Sequence, residues 1–257
     1  MKWSLQVAVW IFSMALAMGT ASAQDKARLK VAEGTYVMDT ESGGEKMKYH
    51  EEWVLWSTSQ GTYLVESKIR VACDHDNSEF RSEIFLDSTL RPVSLRIQRE
   101  IPGLKTKDEF ALTFTDEGVR YSVGDKEYEE KIQGPYYMYL PFPWFLSAIA
   151  VGSTKERGRN TAIQLVWMDD HSDPPIELFP FFGKIRYEGA EQIQVGGQSW
   201  NAERFEIAPH PFSPITIWIS SEGILLALQD ARKPEQRIEL KSSRMYRDFS
   251  PRAQGGE

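Results

Sequence analysis

A single cysteine, Cys73, stands among 257 residues, so no disulfide can form within the chain and its stability must come from a packed core. A lone thiol of this kind is either buried and inert or open to a bond with another chain. Histidine is nearly as scarce. His50, His75, His171 and His210 lie far apart, and none has a neighbour at metal-ligand spacing, so neither a histidine metal centre nor a serine triad is written into a local motif. Gly152-Ser153 and Gly197-Gln-Ser199 both lack the second glycine of a nucleophile elbow. Clustered basic residues are missing too. The densest run is Lys155-Glu-Arg-Gly-Arg159, in a chain with 30 basic and 37 acidic residues, which argues against a nucleic-acid partner.

Two acidic loops hold several oxygen ligands, Asp74-His-Asp-Asn-Ser-Glu79 and Asp169-Asp-His-Ser-Asp173. Neither has the mid-loop glycine of a calcium-binding loop, and both read as ordinary turns. Glu188 and Glu191 are three apart in an extended run, which places them on opposite faces rather than around one glycosidic bond. No metal, cofactor or catalytic residue is expected.

Long apolar runs are confined to the start. Lys2, the apolar stretch from Leu5 to Leu16 and the small residues Ala21-Ser-Ala23 have the layout of a secretory signal peptide. The expected mature chain runs from Gln24, in the periplasm or outside the cell. Beyond it no stretch is long enough to span a bilayer as a helix. Lys2 is the only basic residue ahead of the cut, so the mature chain sets 29 basic residues against 37 acidic ones, a net of −8.

What fills the remainder is alternation with a period of two. Phe80, Ser82, Ile84 and Leu86 share one face, as do Val93, Leu95 and Ile97, and Phe110, Leu112 and Phe114. Tight-turn residues separate such runs: Ser57-Thr-Ser-Gln-Gly61, Asp87-Ser-Thr89, Asp116-Glu-Gly118, Pro180-Phe-Phe-Gly183 and Gly196-Gly197. The expected fold is mainly β, a large curved antiparallel sheet forming a half-barrel or closed barrel, with one or two short helices. The best helix candidate spans Trp144 to Val151, between Pro143 and Gly152. A single domain is expected over 24–249, with a flexible tail over 250–257. A faint echo, Glu83–Leu95 against Thr216–Leu228 with one extra residue in the second turn, suggests two similar halves.

The halves join through Gly134–Ile149, which holds six aromatics and three prolines and no charge. Tyr136, Tyr137, Tyr139, Phe142, Trp144 and Phe145 are the candidate ligand-binding residues. Three roles stay open for them: core on the concave side of a sheet, the lining of a pocket for an apolar guest, or a contact surface. A membrane-spanning barrel is the rival architecture, but Lys126-Glu-Tyr-Glu-Glu-Lys131 puts charge on both faces of an extended run.

The Gly34-Thr-Tyr36 opening, the Ser82-Glu83 run into Leu90-Arg-Pro92, and Tyr187-Glu-Gly-Ala-Glu191 through Gly197 to Ala202-Glu-Arg-Phe205 and Ile217-Trp-Ile219 carry a resemblance. The chain resembles secreted bacterial families of domains of unknown function built on a large curved antiparallel sheet. Those families belong to the broad shape class of the periplasmic lipoprotein carriers. The resemblance implies a fold and a compartment and transfers no catalytic residue. The function expected is non-enzymatic, the binding of an apolar, lipid-like ligand or of an envelope partner. The alternatives are a hydrolase with an unrecognised active site and a structural or assembly factor of the envelope.

Overall fold

In a computed structural model the protein is described over residues 28–42, 45–73, 77–100, 107–123, 126–131, 136–138, 144, 147, 160–169, 177–209 and 213–247. Every regular element among them is a strand: β1 (Leu29–Ser42), β2 (Glu45–Ser57), β3 (Tyr63–Ala72), β4 (Asn77–Leu86), β5 (Pro92–Glu100), β6 (Lys107–Thr115), β7 (Gly118–Val123), β8 (Lys126–Lys131), β9 (Tyr136–Met138), β10 (Asn160–Asp169), β11 (Glu177–Val195), β12 (Gln198–Pro209), β13 (Ile215–Ser220), β14 (Leu225–Asp230) and β15 (Lys233–Met245). The helix expected from Trp144 falls almost wholly outside the described residues, as do the signal segment and the tail. One turn bond, from the Ser147 N–H to the Trp144 carbonyl at 3.0 Å, is what remains of it.

All these strands form one sheet. Its order runs from β8 down to β1, crosses to β15, and continues down to β9. Each strand therefore pairs with its neighbours in sequence except at the step from β8 to β9, and β1 pairs with β15 in the middle of the sheet. The ladders are antiparallel except for the three-residue pairing of β9 with β10, which is parallel. The outermost strands, β8 and β9, exchange no ladder among the described residues, so the sheet is not closed.

Chain connectivity nevertheless forces it to curl. Lys131 and Tyr136 are five residues apart, a reach of at most about 18 Å, whereas fifteen strands laid flat at ~4.8 Å spacing would hold β8 and β9 about 67 Å apart. A second sign of curling lies at the β11–β12 turn. A Cβ added to Gly196 would stand 2.9 Å from the Leu240 carbonyl oxygen on β15, three strands beyond β12.

The period-two pattern gives the curl an inside. Ala32, Leu55, Val65, Ile84, Leu95, Leu112 and Tyr121 lie opposite one another in register across β1 to β7, and all are buried in one apolar cluster. The outer face of β2 to β6 carries charge instead. Glu79 meets Lys68 and Arg81, each at 2.8 Å, Arg70 reaches Glu52 at 3.5 Å, and Arg96 bonds Glu109 at 2.6 Å. A membrane barrel would carry an apolar band there.

Some local expectations change. Pro180 to Gly183 is not a turn. It lies inside β11, where Pro180 pairs with Val166, and β12 reaches only as far as Gly183, so among the described residues Pro180 sits where the strand is paired on one side alone. Val93 is exposed at 43% instead of sharing the face of Leu95 and Ile97, because the register shifts beside it, between Phe85 and Leu86. The turns of the two echoing hairpins have equal length. Asp87 N bonds Arg91 O and Ser220 N bonds Ile224 O, both at 2.9 Å, with Leu90 (φ 65°) and Gly223 (φ 81°) in the left-handed position. Thr58 to Thr62 repeats the arrangement with Gly61 at φ 75°.

Candidate functional site

The inner face of β1 to β4 is mostly apolar, with a polar stripe across it. Along β2, Tyr49, Glu51, Trp53 and Leu55 point inward while His50 and Glu52 point out, so the alternation places a carboxylate inside. Glu51 is fully buried. It faces Tyr36 on β1 and Ile69 on β3 in register, while one pair further along Trp53 faces Ser67 and Ser67 faces Ser82. Tyr36, Glu51, Ser67 and Ser82 thus form a polar patch four strands wide.

Glu51 is held by neutral donors. Its Oε1 accepts the Ser67 hydroxyl at 2.7 Å, and its Oε2 accepts the backbone N–H of Trp144 at 3.0 Å. Burial pushes its pKa up to about 7, against the opposing pull of those two hydrogen bonds. Burial, and then the Glu51 charge, raises the Tyr36 phenol well above its ordinary value. Among the described residues the Tyr36 hydroxyl and Ser82 Oγ have no hydrogen-bond partner.

An aromatic frame packs over the patch. Tyr36 stacks on Trp53 at 5.9 Å between centroids, and Trp144 meets Tyr36 edge-on at 6.3 Å and Tyr49 at 6.4 Å. Gly34 makes room for this stack, since a Cβ there would lie 2.7 Å from Trp53 Cζ2.

Of the six candidate ligand residues, Trp144 is the one whose side chain is described. It belongs to the buried core, 3% exposed. Tyr136 and Tyr137 lie on β9, with only their backbone described, and Tyr139, Phe142 and Phe145 fall outside the described residues. Sequence reading missed Glu51. The signal was present, because a period-two register through Tyr49, Trp53 and Leu55 puts position 51 on the core face. No group of three His, Cys, Asp or Glu side chains suited to a metal occurs among the described residues. Cys73 is partly buried at the end of β3. No described helix is long and apolar enough to cross a membrane.

Chemically, the site offers a buried carboxylate whose pKa burial raises to about 7, bonded to the Ser67 hydroxyl and opposite Tyr36 in register. No histidine shares its face on β2, where His50 points outward.

No family model matches the chain, and no curated protein does. A solved structure does. A protein of domain of unknown function DUF1849 from Brucella abortus, described as beta-barrel-like, covers 85% of this chain and 99% of its own length at TM-score 0.58 and 12% identity. This chain shares that beta-barrel-like fold. A DUF1089 family protein from Pseudomonas aeruginosa covers 69% of this chain and 87% of its own length, at 10% identity and a TM-score of 0.44 that carries no argument.

Proposed function

We propose that this chain is an exported envelope protein that binds an apolar, lipid-like ligand without catalysis, in the trough of its curled sheet. The observation that supports the reading is the seating of Trp144. An uncharged aromatic segment sends one indole into the interior and ties its own backbone to a buried carboxylate 93 positions away. In this reading Trp144 forms part of the floor, and Tyr136, Tyr137, Tyr139, Phe142 and Phe145 supply the apolar lining. Wide or open β-barrels hold such guests on their inner face. An envelope protein docking on the same segment is the second form of the proposal.

The test is native mass spectrometry of protein purified from its own envelope, with titration of an uncharged naphthylamine dye. A co-purifying apolar molecule and saturable dye binding are expected. A bare mass together with no dye binding overturns the ligand reading. Export is tested separately, by N-terminal sequencing: a start at Gln24 is expected, and retention of Met1 overturns it.

A hydrolase is the second reading, favoured by one observation. A carboxylate titrating near neutral lies 2.7 Å from a serine hydroxyl, as a general base should. Burial of both groups speaks for a structural role. Turnover of a panel of chromogenic esters that Ser67→Ala abolishes would establish the hydrolase. Equal background rates for the two proteins would remove it.

A further inference from the structure

Among the described residues three large hydrophobic side chains stand open to solvent, and two of them meet at one rim of the sheet. Leu29, 48% exposed, is the first residue of β1, and Tyr246, 41% exposed, follows the last residue of β15. The end of β15 is held along β1 there, since the N–H groups of Tyr246 and Arg247 both reach the Val31 carbonyl, at 2.8 and 3.3 Å. Lys30 pairs with Trp56 across β1 and β2. Its Nζ stands 5.3 Å from the Trp56 ring and 5.6 Å from the Tyr246 ring, and the Arg244 guanidinium lies 4.9 Å from Tyr246. Cation and ring therefore alternate along one row, Arg244, Tyr246, Lys30 and Trp56.

This row carries more positive charge than it neutralises. Lys30 pairs with Glu33 at 2.8 Å and Arg28 with Glu66 at 3.2 Å. Arg244 and Arg247, both exposed, form no salt bridge with a carboxylate among the described residues. Four cations thus face two carboxylates, a local excess of two positive charges on a chain whose net charge is −7. The turns after β6 and β13 reach the same rim and expose Asp116, Glu117 and Glu222, so negative sectors flank the positive one.

We propose that this rim docks on a bilayer containing anionic lipid. Leu29 and the Tyr246 ring reach the boundary of the acyl layer, and Arg244, Arg247 and Lys30 meet the lipid phosphates. A ring with a polar handle suits that boundary, and a guanidinium pairs with a phosphate through two parallel N–H bonds. The flanking acidic turns fix the orientation, because a negative surface repels them. Docking of this kind goes beyond the ligand reading and holds whether or not the trough takes a guest, which the dye titration tests separately.

The experiment is co-sedimentation of the mature protein with vesicles of phosphatidylcholine, alone or with about one-third phosphatidylglycerol, at low ionic strength. Partition should favour the anionic vesicles at least about tenfold and should fall as salt is added. Arg244→Gln combined with Arg247→Gln, at exposed positions outside the described ion pairs, should bring the two vesicles within about twofold of each other. Leu29→Ser should weaken binding to the anionic vesicles and keep the preference for them. Arg70→Gln combined with Arg120→Gln removes the same charge from exposed positions on β3 and β7 and should bind as the wild type does. Equal partition into the two vesicles, a preference that survives the Arg244 and Arg247 changes, or an equal loss in the β3 and β7 variant overturns the inference. A wild type that sediments with neither vesicle also overturns it, and leaves an acidic protein as the occupant of this rim.

Discussion

Glu51 Oε2 accepts the backbone N–H of Trp144 at 3.0 Å, joining the second strand to the aromatic segment across 93 positions of sequence. The bond reaches between regions with no local reason to meet. It places an indole against Tyr36 and Tyr49, the former itself stacked on Trp53. Removing that indole is the direct test of its place in the core. Trp144→Ala should cost about 3–5 kcal/mol in urea unfolding, the usual loss on emptying a large buried aromatic site. A loss below about 1 kcal/mol, of the size seen at exposed positions, would show that the indole is not core.

The raised Glu51 pKa predicts how stability varies with pH. Its ordinary value is 4.5, and in the folded chain it is about 7. The folded state therefore holds the proton more tightly than the unfolded one. The associated stability is fully present below pH ~4.5, falls as pH rises through 7, and levels off above, a total of about 3 kcal/mol. Glu33, Glu79 and Glu222, whose values are lowered, act in the opposite direction and at lower pH. Urea midpoints at pH 5 and pH 8 should therefore differ in the wild type and draw together in Glu51→Gln. A wild-type midpoint that stays constant over this range would remove the buried, titrating carboxylate.

Gly34 has no room for a side chain. A Cβ would stand 2.7 Å from Trp53 Cζ2 and 2.8 Å from the Ser242 carbonyl oxygen of the paired strand. The indole is stacked and the carbonyl belongs to β15, so neither can yield cheaply. Gly34→Ala should destabilise by about 1–3 kcal/mol and alter the near-ultraviolet circular dichroism of Trp53. An unchanged spectrum with unchanged stability would contradict the packing.

Two hairpin turns of the same geometry should respond differently. Gly61 has φ 75° and open space around it, so Gly61→Ala should cost only backbone strain, about 1 kcal/mol. Leu90 has φ 65° but is buried to 2% exposure in the core cluster. Leu90→Gly relieves about 1–2 kcal/mol of strain yet empties a site worth about 2–5, for a net loss between about 0 and 4 kcal/mol. Denaturation curves rank the two variants, and a stabilised Leu90→Gly would show that the side chain contributes nothing to the core.

Strands were the most legible part of this protein, since Phe80 to Leu86 and Phe110 to Phe114 announce their inner faces through alternation alone. Failures came where a neighbour overrode the local pattern. Pro180 reads as a strand breaker, but position within the sheet makes it tolerable on β11. Val93 follows the alternation of Leu95 and Ile97, yet a register shift against β4 turns it out. Leu90 sits where turn chemistry calls for glycine, and the core holds it there.

By itself the sequence determined the class of fold, because a period of two with turn residues between runs is a local property that each strand carries alone. It also ruled out a disulfide within the chain by counting. The tertiary structure decided which strands meet. β1 pairs with β15, and the edges β8 and β9 are drawn together by a link of four residues, relations between segments that no local pattern encodes. It decided the site as well. Alternation assigns Glu51 and Glu52 to opposite faces, but the partners of Glu51, Ser67 and the Trp144 backbone, are brought in from β3 and the aromatic segment. A charge becomes functional chemistry only when other parts of the chain exclude water from it.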